Sequence, residues 1–534
     1  RRDGAATCLG GLAQRRDGVA TGLGGLPSAG TALPRFPVLG ARSANGDNTR
    51  AHAIRCGRRL NLIAPTMRAL LAFAALVLAL LPDGTARAET TFRKTVLEDL
   101  CDNPMELAPL PDGRVVFVER FGNVRIWRPD AERTVLSGRL AVHGSVNAII
   151  ARQADKGSWE AGLMGVAADP GFATNRWIYL YWSPAGDVPE NRVSRFTLDG
   201  DRLDGASERV VLRVPVQREV CCHEAGSLAF DGEGNLFVST GDNTNPFESD
   251  GFNPVDARDG RHPFDAARSA GNANDLRGKI LRVHPEPDGT YTVPRGNLFP
   301  PGTPHTRPEI FVMGCRNPFR ISVDRATGTL SWGEVGPDAR EPRAGRGPAG
   351  FDEINRTRTA GNFGWPFFIA DNRPYHAHDF ATRTSGDAWD PAHPVNPSPR
   401  NTGPRELPPA RPAWMFYPYS PSTRFPAVGS GGRTACAGPV YHFDPALASS
   451  RKLPASFDRC LFIYDWERHW ILAVHPVADG QPGRIERFAP NIALKRPVEL
   501  EIGPDGALYA IEFGSGWENN KDCQVIRIEA VPGS

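Results

Sequence analysis

From about residue 91 onward, apolar and polar positions alternate over short runs, each bounded by Gly, Asp, Asn or Pro. A period of two over four to six residues predicts β-strands rather than helices. Three runs share one shape, a tight turn containing Asp-Gly or Gly-Asn followed by alternating apolar residues. They are Pro111-Asp112-Gly113 before residues 115–118, Gly234-Asn235 before 236–239, and Pro504-Asp505-Gly506 before 507–511, which is hairpin chemistry. Further strands are expected at 177–182, 279–283, 439–443, 460–465 and 470–475, and no segment carries a convincing amphipathic helix of three turns. Many antiparallel strands with a recurring turn predict an all-β propeller, which manages exposed strand edges by radial repetition. The spacing is too irregular to count blades. Loops at 242–277, 336–360 and 366–435 are long and rich in Asn, Asp, Gly, Pro and aromatic residues, and read as packed loops covering a site.

The N-terminal segment reads differently. Met67-Arg68, a 13-residue apolar run over 69–81 and the small residues Thr85-Ala86-Arg87-Ala88 form a signal-peptide pattern at 67–88, too short for a comfortable membrane span. Export to the periplasm or medium follows as the expectation, with no membrane span after cleavage. Residues 1–66 hold a near-repeat, RRDGAATCLGGLAQ then RRDGVATGLGGLPS, and read as a non-structured leader or misplaced start outside the fold. Residues 89–534 are expected to form one propeller domain.

The leader also distorts the charge. The whole chain has a formal net charge of +2, but residues 1–88 contribute 12 Arg, no Lys and 4 Asp, leaving a net of −6 on the remainder. A mildly acidic body argues against nucleic-acid binding, which needs a basic surface. Seven cysteines fall beyond residue 88, so at least one stays unpaired within the chain. The adjacent Cys221-Cys222 either close on each other or serve as separate thiols or long-range bridges. No C-x-x-C-H occurs, so no c-type haem attachment is expected.

Candidate chemistry concentrates in a few segments that combine a turn with polar residues: Glu160-Ala161-Gly162-Leu163-Met164-Gly165, Cys221-Cys222-His223-Glu224-Ala225-Gly226, Met313-Gly314-Cys315-Arg316-Asn317-Pro318, Gly333-Glu334-Val335-Gly336-Pro337-Asp338 and Gly361-Asn362-Phe363-Gly364-Trp365-Pro366. The order G-L-x-G-x-A-x-D-P-x-F, H-x-x-G-x-L-x-F, G-K-I-L-R, G-x-R-N-P, G-P-D, D-E-I-N, G-N-F-G-W-P resembles the soluble pyrroloquinoline quinone (PQQ)-dependent glucose and sorbosone dehydrogenases, including the aldose sugar dehydrogenases.

That resemblance implies a six-bladed propeller, the cofactors PQQ and calcium, and oxidation of a sugar (aldose) or alcohol by hydride transfer to the quinone, with a separate electron acceptor. It implies His223 as the general base, suited by an imidazole pKa near working pH. Arg316 and Asn317 match the pair at the quinone oxygens, and Gly336 and Pro337 the carbonyls that bind calcium, whose hard charge prefers oxygen. Thr434, Arg468 and Arg496 stand near the positions that hold the cofactor's carboxylates, and Glu160 and Cys222 occupy two further cofactor-binding positions.

Departures accompany the matches. Relative to the family pattern, Cys222 replaces an aspartate, Glu160 a glutamine and Val498 a second arginine. One cation is lost and one anion gained, which weakens the hold on a tricarboxylate unless Arg433 or another loop residue compensates. The alternatives are a non-catalytic carbohydrate- or protein-binding propeller, since a fold does not fix a function, and a calcium-dependent lactonase. The run Asp242-Asn243-Thr244-Asn245 with Asp250, Asp256 and Asp259 lacks EF-hand spacing. It reads as solvated turns, with a second calcium site as the alternative.

Overall fold

The computed structural model describes residues 90–143, 160–477, 480–516 and 520–531; the signal-peptide and leader readings lie outside them. Each predicted turn does what its residues dictate. At Leu110–Arg114 the chain reverses through Gly113 at φ +85°, with Gly113 N–H donating to the Leu110 carbonyl at 2.9 Å and Asp112 accepting from Arg114 N–H at 3.1 Å. The same closure recurs at Asp231–Asn235 and Gly503–Ala507. A residue with a Cβ resists that left-handed φ, so glycine marks the hairpin.

These hairpins build six blades. In chain order they comprise Pro104–Pro109, Val115–Glu119, Asn123–Arg128 and Arg133–Arg139; Leu163–Ala168, Trp177–Trp182, Glu190–Asp199 and Arg202–Pro215; Ala225–Phe230, Leu236–Thr240, Lys279–Pro285 and Ile310–Met313; Arg320–Asp324, Thr329–Glu334, Asp352–Thr357 and Met415–Tyr417; Ala435–Val440, Leu461–Asp465, Trp470–Val474 and Ile485–Arg487; and Pro497–Ile502, Leu508–Glu512 and Gln524–Ala530, completed by the N-terminal strand Phe92–Glu98. Phe92–Glu98 pairs antiparallel with Gln524–Ala530, from Phe92 opposite Ala530 to Glu98 opposite Val525, so the two ends of the fold close one blade and the ring. The one α-helix among the described residues is the single turn Phe172–Asn175.

Two sequence expectations shift. The strand expected at 439–443 runs Ala435–Val440 instead, and its ladder breaks between Ala437 and Val440, because Pro439 has no N–H to donate. Within the supposed loops, Asp352–Thr357 and Met415–Tyr417 are strands of the fourth blade, and two small hairpins, Phe368–Ile369 with Arg373–Pro374 and His376–Asp379 with Thr384–Ala388, occupy 366–435. The aromatics there are packed: Trp365, Phe367, Phe368, Tyr375, Phe416 and Tyr417 are all buried.

The first strands of the second and third blades pack closely. A Cβ on Gly165 would lie 2.1 Å from the Gly226 carbonyl. The last glycine of G-L-x-G and the glycine of H-x-x-G are therefore the contact between the second and third blades. Across the axis lies Arg320. Its Nη2 donates to the Met105 carbonyl at 2.6 Å, its Nε to the Val498 carbonyl at 3.0 Å, and the Glu499 carboxylate is 2.8 Å away. One buried guanidinium thus ties the first strands of three blades, with Glu106 also attracted to it.

Candidate active site

His223 lies between the second and third blades, in the segment that leads into Ala225–Phe230. Three residues here take a left-handed backbone, His223 at φ +63°, Ala225 at +52° and Asn243 at +52°. Side chains disfavour that region, and such strain clusters at functional sites. Gly241 runs directly against it, and a Cβ there would fall 2.0 Å from the His223 carbonyl oxygen. His223 Nδ1 is 2.7 Å from Asp242 Oδ1. Asp242 is fully buried and already accepts from Thr244 N–H at 3.0 Å and from Trp365 Nε1–H at 2.8 Å. A carboxylate so supplied with donors is an acceptor, so Nδ1 carries the hydrogen, and in the neutral ring Nε2 is then the acceptor.

That ring borders a cavity of about 370 Å³, which Arg316, Asn317, Gly336, Arg433, Thr434, Glu160 and Cys222 also line. Arg316 is buried, with Nη1 on the Val335 carbonyl at 2.8 Å and the guanidinium 5.9 Å from the Trp365 ring. The backbone N–H groups of Arg316 and Asn317 both donate to Glu334 Oε1. Burial foremost, then repulsion from Glu353, pushes Glu334 up to about 8. Asp242 N–H donates to the Arg316 carbonyl at 2.8 Å, which couples the histidine loop to the arginine loop. The Nε of Arg316 and of Arg433 and the amide oxygen of Asn317 are buried without a hydrogen-bond partner. Such atoms are few in native interiors, and these three belong to residues of the cavity wall. Met105, Met164, Phe319, Trp466, Val498 and Phe513 supply apolar walls.

The glucose/sorbosone dehydrogenase family model matches residues 101–404. The chain belongs to that family. It is 28% identical over 285 residues to aldose sugar dehydrogenase YliI of Escherichia coli, covering 52% of this chain and 63% of that one. It is 24% identical over 289 residues to quinoprotein glucose dehydrogenase B of Acinetobacter calcoaceticus, covering 53% of each. The alignments thus span less than two thirds of these curated relatives. A solved oxidoreductase of Thermus thermophilus, described as a glucose dehydrogenase, superposes with a TM-score of 0.52 at 25% identity, over 82% of this chain and 99% of that one.

For a member of the glucose/sorbosone dehydrogenase family, the remaining predicted residues divide. Glu160 accepts from Glu224 N–H at 3.1 Å and presents its carboxyl group to the cavity. Cys222 is disulfide-bonded to Cys221, whereas Cys101, Cys315, Cys436, Cys460 and Cys523 are free. Thr434 donates its hydroxyl to the Arg433 carbonyl at 2.6 Å. Arg468 and Arg496 do not line the cavity. Arg468 spends its guanidinium on the carbonyls of Pro418, Val428, Gly429, Gly431 and Gly432. Arg496 is held by the Ser515 carbonyl, Glu467 and the Trp466 ring. Five carbonyls around one guanidinium make a loop clamp, a role that residue type alone does not distinguish from carboxylate binding.

The calcium pair also divides. Gly336 borders the cavity, but Pro337 borders only a void of about 10 Å³ behind it. The Pro337 carbonyl accepts from Arg433 Nη2 at 2.7 Å, and it abuts Gly350 so closely that a Cβ there would lie 1.7 Å away. Calcium wants six to eight oxygens. The carboxylates here are Asp352, committed to Arg433 at 2.5 Å, and Asp338, bonded to the Tyr419 hydroxyl at 2.9 Å. These carboxylates are not free to complete a site, so a divalent ion here would rest on the Gly336 and Pro337 carbonyls and on the cofactor's own oxygens and nitrogen. Nor does the acidic loop gather a second one: Asp242 serves His223, Asp250 pairs with Arg343, and Asp256 with Arg258 and Arg261.

Sequence reasoning missed Asp242 as the partner of His223, together with Arg120 and Phe247 at the cavity and Glu334 beneath it. Arg120 and Asp242 each follow closely on a strand, Val115–Glu119 and Leu236–Thr240, a position that residue pattern alone does not set apart.

Proposed function

We propose that this protein is a PQQ-dependent dehydrogenase of aldoses or related alcohols, with His223 as general base. The observation that carries the reading is that His223, held by Asp242, lines one cavity together with Arg316 and Asn317. A tricarboxylate ring needs cations and flat apolar walls; Arg120, Arg316 and Arg433, with Trp466, Phe319 and Phe513, provide both. Bound PQQ would supply the two-electron acceptor for hydride from the substrate carbon. His223 Nε2 takes the hydroxyl proton, and Asp242 stabilises the imidazolium that results. Arg316 and Asn317 offer donors where negative charge grows on the acceptor's oxygens, a preorganised stabilisation. Calcium would be held by the Gly336 and Pro337 carbonyls together with oxygens and a nitrogen of the bound cofactor.

The lactonase alternative loses its footing at the axis, where Arg320 stands in place of a ring of metal-ligating carboxylates and amides. Export through residues 67–88 is retained in the reading, and among the described residues no helix is long and apolar enough to cross a membrane. The test is reconstitution of the apoprotein with PQQ and calcium and dye reduction across a panel of aldoses. Turnover that depends on PQQ and disappears in His223→Ala supports the reading, whereas sugar binding without turnover at any cofactor concentration defeats it.

A further inference from the structure

We infer that Cys101 and Cys523 join as a disulfide that latches the closed ring, a covalent site formed under oxidising conditions. The two residues meet at the seam. Phe92–Glu98 completes the sixth blade, and the connection 99–103 then carries the chain to Pro104–Pro109, the first strand of the first blade. Cys101 sits in that connection. Cys523 immediately precedes Gln524–Ala530, the strand with which Phe92–Glu98 pairs, and Glu98 lies opposite Val525. Continued past Glu98, an antiparallel register brings the residues after 98 beside those before 525. The thiols meet there: Cys523 Sγ donates to the Cys101 carbonyl at 2.8 Å, and the Cys523 sulfur is also the hydrogen-bond partner of the Cys101 thiol. The contact spans 422 positions of sequence.

The remaining free thiols are engaged elsewhere. Cys315, Cys436 and Cys460 are fully buried; Cys436 Sγ donates to the Thr434 carbonyl at 3.8 Å, and Cys460 Sγ lies 3.3 Å from His475 Nδ1. Cys101 is only half-buried, within reach of an external oxidant. The oxidation balances as thiol–disulfide exchange. One thiolate of the pair attacks an external disulfide, such as oxidised glutathione, and releases one thiol; the second thiolate attacks the mixed disulfide, forms the Cys101–Cys523 bond and releases the other. Two electrons and two protons pass to the external disulfide, which leaves as two thiols. The proposed export would supply the surroundings in which such bonds persist. A cross-link restricts the unfolded chain most when the loop it closes is long, and this one encloses nearly the whole propeller. It also anchors the turn that begins at Phe513, a wall of the cavity: Asn520 Nδ2 donates to the Phe513 carbonyl at 2.6 Å, and Cys523 Sγ lies 3.8 Å from the Asn520 carbonyl.

In the test, the full-length protein is incubated with oxidised glutathione, denatured in N-ethylmaleimide to block remaining thiols, digested without reduction and mapped by mass spectrometry. The expected result is a peptide pair linked through Cys101 and Cys523 that separates on reduction. Recovery of both as N-ethylmaleimide adducts, or of either joined to another cysteine or left on glutathione, overturns the inference. The second measurement is the melting temperature of the oxidised protein. Cys101→Ala, Cys523→Ala and the double variant are each expected to melt about 3–6 °C lower, and all by the same amount, because losing either sulfur loses the same bond. Losses that add in the double variant, or no loss at all, show thiols that merely pack and overturn the latch. If the variants do not fold, by circular dichroism, the peptide map of the unaltered protein still decides.

Discussion

At the scale of single residues, the base is defined by its neighbour more than by itself. Asp242 fixes which nitrogen of His223 carries the hydrogen, and Trp365 fixes Asp242. Asp242→Asn keeps the shape but can offer its amide N–H to Nδ1, which then becomes the acceptor and puts the hydrogen on Nε2. We expect kcat to fall about 100-fold with little change in KM, the scale of a general base put out of action; steady-state kinetics over a pH series, with melting temperature as the control, checks it. Phe247 is 66% exposed and borders the cavity, a placement suited to the face of a sugar ring. Phe247→Ala should raise KM about tenfold, equivalent to ~1.4 kcal/mol of lost binding, while kcat stays within a few-fold. A change confined to kcat would refute that placement.

At the scale of elements, the site is held by anchored loops. Lys279 opens the strand Lys279–Pro285, and its buried ammonium donates to the carbonyls of Ser269, Ala270 and Arg277 at 2.8, 3.2 and 2.7 Å. Burial foremost pulls it down to about 8. The lysine of G-K-I-L-R therefore pins the end of the 242–277 loop, whose start carries Asp242. Lys279→Met strands those carbonyls, and unsatisfied buried groups cost about 1–3 kcal/mol each. The expected result is a melting temperature lower by several degrees, with early protease cleavage within 266–278. The motif was legible in the sequence; its task was not, because the three carbonyls it serves belong to backbone that has no side-chain signature.

At the scale of the whole molecule, Glu106, Arg320 and Glu499 form a buried charge cluster, and Glu501 lies half-buried near it. Glu106 is pushed up to about 7, foremost by burial, against the attraction of Arg320, and Glu501 to about 7, again foremost by burial, against Arg325. A carboxyl whose pKa is raised on folding binds protons more tightly in the native state. Its contribution is full below about 4.5, the model-peptide range, and is lost as pH rises through 7. Denaturation midpoints should therefore fall between pH 5 and 7.5, and Glu501→Gln should flatten that slope; a slope unchanged in the variant would exclude Glu501 as a source. Arg320→Met is expected to cost about 3–5 kcal/mol, since it leaves carboxylates buried without their cation, and urea denaturation near neutral pH measures it.

The alternation of apolar residues and the glycine turns determined the strands and the all-β class, because both are local properties of the chain. The ordered motifs determined the family and brought His223, Arg316, Asn317 and Gly336 to one cavity. Residues hundreds of positions apart were settled only by closure of the ring. Asp352 meets Arg433, Arg468 turns from the cavity to five carbonyls, and the Pro337 carbonyl is taken by a guanidinium. Charge and residue type are written in the sequence, but the partner that claims each charge depends on which backbone groups the fold buries beside it.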